Sequence, residues 1–207
     1  MESSTNTPLE QLTAIKRMME QSSRFVSLSG WSGIVAGSLA LLGSYAAYTV
    51  LHSSSSPETM ITQLWLIAGL VFITAFTASF LFTYRASKQQ GIPIWGSASK
   101  RLLWHTFLPI AIGGLLILKL LDLEIYSLIV GVSLIFYGLG LVNGSKFTLG
   151  EVRFLGYGQL ALGLFDLAVP GYSLWCWAAG FGVLHIIYGV IMWSRYERTA
   201  PTQTNTL

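Results

Sequence analysis

Three polar side chains, His185, Gln159 and Asp166, fall inside long apolar runs. Ionisable groups at membrane depth are costly and turn toward a bundle interior or a water-filled path, so each is a functional candidate. A histidine near the middle of a span could pass a proton or hold a ligand, because its ordinary pKa lies close to neutrality. The plain alternative is a neutral histidine hydrogen-bonded within the bundle. Asp166 lies ~6 Å from the outer end of its run and ~12 Å from the depth of His185, counting 1.5 Å per helical residue. Direct pairing of the two is therefore not expected. Gln159, nearer the inside, matches the depth of His185 better and is its expected hydrogen-bond partner. The three read together as candidate lining of a polar path or ligand site.

A second group, Lys146, Glu151 and Arg153, follows the turn Asn143–Thr148. It reads as a turn-and-cap motif, or as a contact for a partner or for anionic lipid. Lys119, Asp122 and Glu124 crowd another hairpin tip and suggest a local salt-bridged cap. Cys176 has no obvious base beside it, so a nucleophilic role is not expected. His52, His105 and His185 lie at three different depths, which opposes haem ligation and any compact metal site. No metal and no cofactor are expected. The single cysteine excludes a disulfide framework. HExxH, paired intramembrane aspartates, a Ser–His dyad at credible depth, GxGxxG and GKS/GKT are all missing. The expectation is a protein that is not an enzyme.

These residues need elements to hold them, and composition says of what kind. Of 207 residues 53% are hydrophobic and 10% charged, and the mean hydropathy is +0.60. A soluble domain carries roughly 25% charged residues, so lipid is the implied solvent. The net charge of +3 is too small for a nucleic-acid footprint. A span needs about 20 apolar residues. Such runs occur at about Gly30–Leu51, Thr62–Tyr84, Leu102–Leu121, Glu124–Asn143, Phe154–Val169 and Ser173–Ser194. The fifth is the weakest, short and closed by Pro170-Gly171.

Basic residues test the count independently, because they are retained on the cytoplasmic side of span ends. Six spans place eleven of the twelve Lys and Arg residues on one side, with Lys119 the exception. Dropping the fifth span would move Arg195 and Arg198 across, so the charge pattern keeps it. The expected topology is multi-pass in an inner (plasma) membrane, with both termini cytoplasmic. Trp31, Trp65, Trp104, Trp175, Trp177 and Trp193 fall near span ends, as interface anchors do. Ahead of the spans, residues 1–28 contain Thr7-Pro8-Leu9-Glu10, a helix start. Leu9, Leu12, Ile15, Met19 and Val26 follow on roughly one face. This is an amphipathic cytoplasmic helix expected on the membrane surface, with residues 8–27 as a possible site for a protein partner. The transmembrane domain is 29–194, and 195–207 reads as a disordered tail.

Repetition organises the spans. Gly131-Val132-Ser133-Leu134-Ile135-Phe136-Tyr137-Gly138 matches Gly182-Val183-Leu184-His185-Ile186-Ile187-Tyr188-Gly189 at five of eight positions. Ala36-Gly37-Ser38-Leu39, Gly113-Gly114-Leu115-Leu116 and Leu162-Gly163-Leu164-Phe165 share a small-residue signature, and Ala68-Gly69-Leu70 is a looser match. The expected fold is all-α: six transmembrane helices in three tandem hairpins, packed through small residues. The stretch Tyr137–Thr148 with Glu151–Gly156 resembles an uncharacterised family of bacterial six-span membrane proteins. The Gly163–Pro170 closure is faintly similar to the HdeD-like acid-resistance membrane proteins. Neither resemblance implies a reaction or a ligand. The leading expectation is a non-enzymatic protein acting through helix packing and contacts with lipid or a partner, in envelope stress or regulation, with oligomerisation open. The alternatives are a small transporter or channel whose polar path runs near His185, and a binder of an apolar ligand between hairpins.

Overall fold

The computed structural model describes residues 29–53, 56–89 and 95–198. The amphipathic helix expected over 8–27 and the tail beyond 198 lie outside the described residues. Regular structure among the described residues is helical throughout. In chain order the helices are α1 (Gly30–Ser53), α2 (Pro57–Gln89), α3 (Ser97–Asp122), α4 (Ile129–Gly144), α5 (Val152–Ala168) and α6 (Ser173–Glu197). Short 3-10 turns at Tyr126–Leu128 and Ser145–Phe147 extend α4 at its two ends.

Five of these, counting α4 with its flanking turns, are long and apolar enough to cross a membrane. The weak fifth run forms α5, a helix of 17 residues, about 25 Å at 1.5 Å per residue and at the lower limit for a span. Its end has a local cause: Pro170 disfavours helical backbone at Val169, which is extended, and Gly171 then turns the chain with φ +96°. The other hairpin tip also departs from the helix, at Glu124, whose φ is +56°. The expected salt-bridged cap there reduces to Lys119 and Asp122 at 2.5 Å, with both side chains exposed, a pair worth at most about 1 kcal/mol.

The last helix runs past the expected end at Ser194 because its final turn is tied down. Glu197 Oε1 accepts the N–H of Gly30 at 2.6 Å, one of the donors the start of α1 leaves unsatisfied. Arg195 and Tyr196 both donate to Glu151 Oε1 at 3.0 Å. Trp31 and Trp193 meet edge to face with centroids 6.3 Å apart. These contacts bring the start of α1, the start of α5 and the end of α6 to one end of the bundle.

Glycine sets how closely the helices approach. On α4 and α5, a Cβ at Gly138 would stand 2.8 Å from the Gly156 carbonyl oxygen, and one at Gly156 would stand 2.9 Å from the Gly138 oxygen. Seven residues away on each helix, a Cβ at Gly163 would be 2.8 Å from the Gly131 oxygen. On α6 and α1 the same arrangement recurs. A Cβ at Gly37 would be 2.6 Å from the Gly182 oxygen, and one at Gly189 would be 2.6 Å from the Gly30 oxygen. Both seams are antiparallel and both repeat at seven residues, two helical turns, so the glycines stay on one face. The sequence repeat of α4 and α6 is therefore a repeat of packing. In lipid, where apolar burial drives association little, such backbone-to-backbone approach supplies dispersion contact that longer side chains would block. Gly69 of α2 and Gly114 of α3 have nothing within 4 Å where a Cβ would stand. Seven residues along from them are Phe76 and Phe107, exposed by 64% and 63%. No third glycine seam forms there.

Candidate functional site

The chemistry concentrates where α4, α5 and α6 meet. α6 is α-helical over Ser173–Trp177, widens to π-helical turns over Ala178–Leu184, and returns to α-helix at His185. π-helical turns are rare and cluster at functional sites. The widened segment, Ala178-Ala179-Gly180-Phe181-Gly182-Val183-Leu184, carries two glycines. A side chain at Gly180 would have no room: its Cβ would fall 2.5 Å from Leu134 and 2.6 Å from Gln159 Oε1. The bare backbone lets side chains reach the Gly180 carbonyl.

Two do so. His185 Nδ1 lies 3.0 Å from the Gly180 oxygen, and Gln159 Nε2 donates to the same oxygen at 2.8 Å. A carbonyl only accepts, so Nδ1 carries the imidazole proton. In the neutral ring Nε2 is then an acceptor, filled by the Tyr137 hydroxyl at 2.8 Å. The tautomer is thereby fixed by its two partners. The His185 ring also packs against Tyr137 and Phe181, at centroid distances of 5.5 and 6.1 Å, and those two rings are 5.3 Å from each other. Three helices therefore hold one imidazole: α4 through Tyr137, α5 through Gln159 at the shared carbonyl, and α6 through its own backbone.

Sequence reasoning placed Gln159 at the right depth, but its link to His185 runs through the Gly180 carbonyl rather than directly. It missed Tyr137. The signal was present: Tyr137 lies eleven residues past Tyr126 and His185 twelve past Ser173, at nearly equal depth. Gln159 is fully buried, and its Oε1 has no hydrogen-bond partner.

Asp166 stands apart from this cluster, as its depth implied. It is seven residues from Gln159 on the same buried face of α5, ~10 Å along the axis. It is 3% exposed and neither carboxyl oxygen has a hydrogen-bond partner. Cys176 of α6, also buried, lies within its electrostatic reach. That proximity too could have been read from sequence, since both residues fall within a few positions of the Pro170-Gly171 turn.

No family model, no curated protein and no solved structure matches this chain. What the site can do rests on its own chemistry.

The second group separates. Glu151 turns inward to Arg195 and Tyr196. Burial pushes its carboxyl up, but its own backbone N–H, the Tyr196 hydroxyl and the Arg195 guanidinium outweigh that and hold it below the ordinary range. Lys146 and Arg153 remain exposed, with the Arg153 guanidinium 5.1 Å from the Phe154 ring centroid. Tyr188 lies within electrostatic reach of Tyr137, Glu151 and Tyr196. Polar groups thus recur along the α5–α6 side of the bundle: Asp166 and Cys176, then Gln159, His185 and Tyr137, then Tyr188, then Glu151, Tyr196 and Arg195.

Proposed function

We propose that this protein is a six-span inner-membrane protein, built as three tandem hairpins with both termini cytoplasmic, whose α4–α5–α6 junction is a path for a small polar or ionic solute. It works without covalent catalysis, and no metal or cofactor is needed at the junction. The observation that carries the reading is the convergence of His185 and Gln159 on the Gly180 carbonyl of a π-helical segment, with Tyr137 bonded to the far nitrogen of His185. Packing alone does not call for it. In lipid a leucine at each of these positions would cost nothing in desolvation, whereas buried polar groups cost unless every one is bonded, and Gln159 Oε1 is not. The matched glycine registers of α4–α5 and α6–α1 support the tandem-hairpin arrangement. The charge asymmetry supports the orientation.

Flux is the direct test. Protein reconstituted into liposomes, with proton, sodium and potassium gradients imposed in turn, should pass one of them, and His185→Ala should reduce that flux at least tenfold. Absence of flux under every gradient would leave contact with lipid or a partner as the role, through Lys146, Arg153 and residues 8–27. Topology is tested separately in a Cys176→Ser background. Gly150→Cys and Tyr172→Cys should react with an impermeant maleimide from opposite sides of the membrane. Labelling of both from the same side would remove α5 from the set of spans.

A further inference from the structure

We infer that Asp166 is a proton-binding site in the outer half of this path, so that the solute is a proton rather than a metal or an organic cation. The inference rests on the reading of the junction as a path and names what that path carries. Asp166 is buried to 3% exposure inside an apolar helix, with both oxygens unpartnered. An ionised carboxylate in that state has neither hydrogen bonds nor a counter-charge to offset its desolvation. Its surroundings supply none. From α6 the facing ionisable group is the Cys176 thiol, which is neutral as S–H. From α4, the outer residues Ile129–Phe136 contain no ionisable side chain, and the hydroxyl of Ser133 is bonded back to the Val130 carbonyl. On α5 itself the next polar side chain inward is Gln159. The basic residue at the outer end of α3, Lys119, is exposed and paired with Asp122.

Something must neutralise the carboxylate, and the candidates differ in how many ligands they need. Magnesium takes about six oxygen ligands and calcium six to eight. Among the described residues no three His, Cys, Asp or Glu side chains come together, so a divalent ion at Asp166 would find at most one further side chain of these kinds. An ammonium ion needs several acceptors for its N–H groups. A proton needs one oxygen lone pair. It converts the carboxylate to a neutral acid, O–H bond formed and charge cancelled, with no further ligand. Two turns inward, Gln159 Oε1 is a buried acceptor with no donor, on the same face as the acid that has a proton to give.

The test is spectroscopic and independent of transport. Infrared spectra of the protein in lipid should show the carbonyl band of a protonated carboxylic acid at neutral pH, lost in Asp166→Asn and unchanged in Glu151→Gln. Dicyclohexylcarbodiimide, which adds to protonated carboxyls in apolar surroundings, should label the Asp166 peptide of the wild type. Should Asp166→Asn fail to fold, Asp166→Glu should keep the band at a shifted frequency. No protonated-acid band at neutral pH, or loss of the band on adding excess sodium or magnesium at fixed pH, overturns the proposal. The two readings fail separately: a band without any flux removes the path and keeps the proton site, and flux without a band does the reverse.

Discussion

His185 and Gln159 bond to one oxygen, the carbonyl of Gly180, at 3.0 and 2.8 Å. The two side chains share that one acceptor, which belongs to the π-helical segment of α6. The arrangement orders the imidazole and costs an orphaned acceptor at Gln159 Oε1. These opposing terms set an expectation for Gln159→Leu. It loses one hydrogen bond, worth about 1 kcal/mol, and removes a buried unpartnered oxygen costing about 1–3 kcal/mol. Unfolding in detergent should therefore place Gln159→Leu between the wild type and about 2 kcal/mol more stable, while liposome flux falls severalfold. A clear loss of stability, with normal flux, would make Gln159 a structural bond only.

Tyr137→Phe separates the ring from its hydroxyl. The stack on His185 and Phe181 survives, and Nε2 of His185 loses its donor in a buried site. The expected destabilisation is about 1–3 kcal/mol, the cost of leaving a buried acceptor unmade. A nitrogen NMR signal for His185 Nε2 should move in the direction that reports a lost hydrogen bond, with Nδ1 unchanged. If Nδ1 moves instead, the tautomer assignment is wrong.

The seven-residue glycine registers make a prediction by contrast. At Gly138 a Cβ meets the backbone oxygen of Gly156 at 2.8 Å, and a backbone cannot swing aside as a side chain can. Gly138→Ala should cost about 1–3 kcal/mol by overpacking. At Gly69 a Cβ meets nothing within 4 Å, and alanine is the better helix former by about 1 kcal/mol. Gly69→Ala should be neutral or stabilising. Equal effects at the two sites, measured as midpoints of thermal unfolding in the same detergent, would show that the registers do not hold the bundle.

The positions of the long apolar helices were legible because hydrophobic run length follows from the cost of placing polar groups in lipid, a property of single residues. The repeat was legible as a pattern, but not its meaning: that Gly131 and Gly138 face Gly163 and Gly156, while Gly182 and Gly189 face Gly37 and Gly30, depends on which helices neighbour one another. Depth alone placed His185 level with Gln159 and apart from Asp166. It could not show that a π-helical segment would turn the Gly180 carbonyl into their meeting point, because glycine content permits that geometry without requiring it. The long-range bonds of Glu151 were hidden for the same reason. Its partners Arg195 and Tyr196 lie over forty residues on, in a stretch that reads as tail until the helix is seen to continue.

That pairing gives the bundle a pH dependence whose sign is fixed. Burial raises the Glu151 carboxyl, its own backbone N–H, Tyr196 and Arg195 lower it, and the net displacement is downward. A carboxyl whose folded pKa lies below its unfolded value contributes stability that is full above the unfolded value and fades as pH falls through the folded one. At neutral pH the clasp between α5 and the end of α6 is therefore complete, and it opens only in acid, below the ordinary carboxylate range of about 4. Glu151→Gln should melt lower than the wild type at neutral pH, with the gap closing as pH falls through that range. Arg195→Gln should reproduce part of the gap, since it removes one of the carboxylate's donors and leaves Tyr196. A gap that persists undiminished in strong acid would mean that Glu151 acts through packing and not through charge.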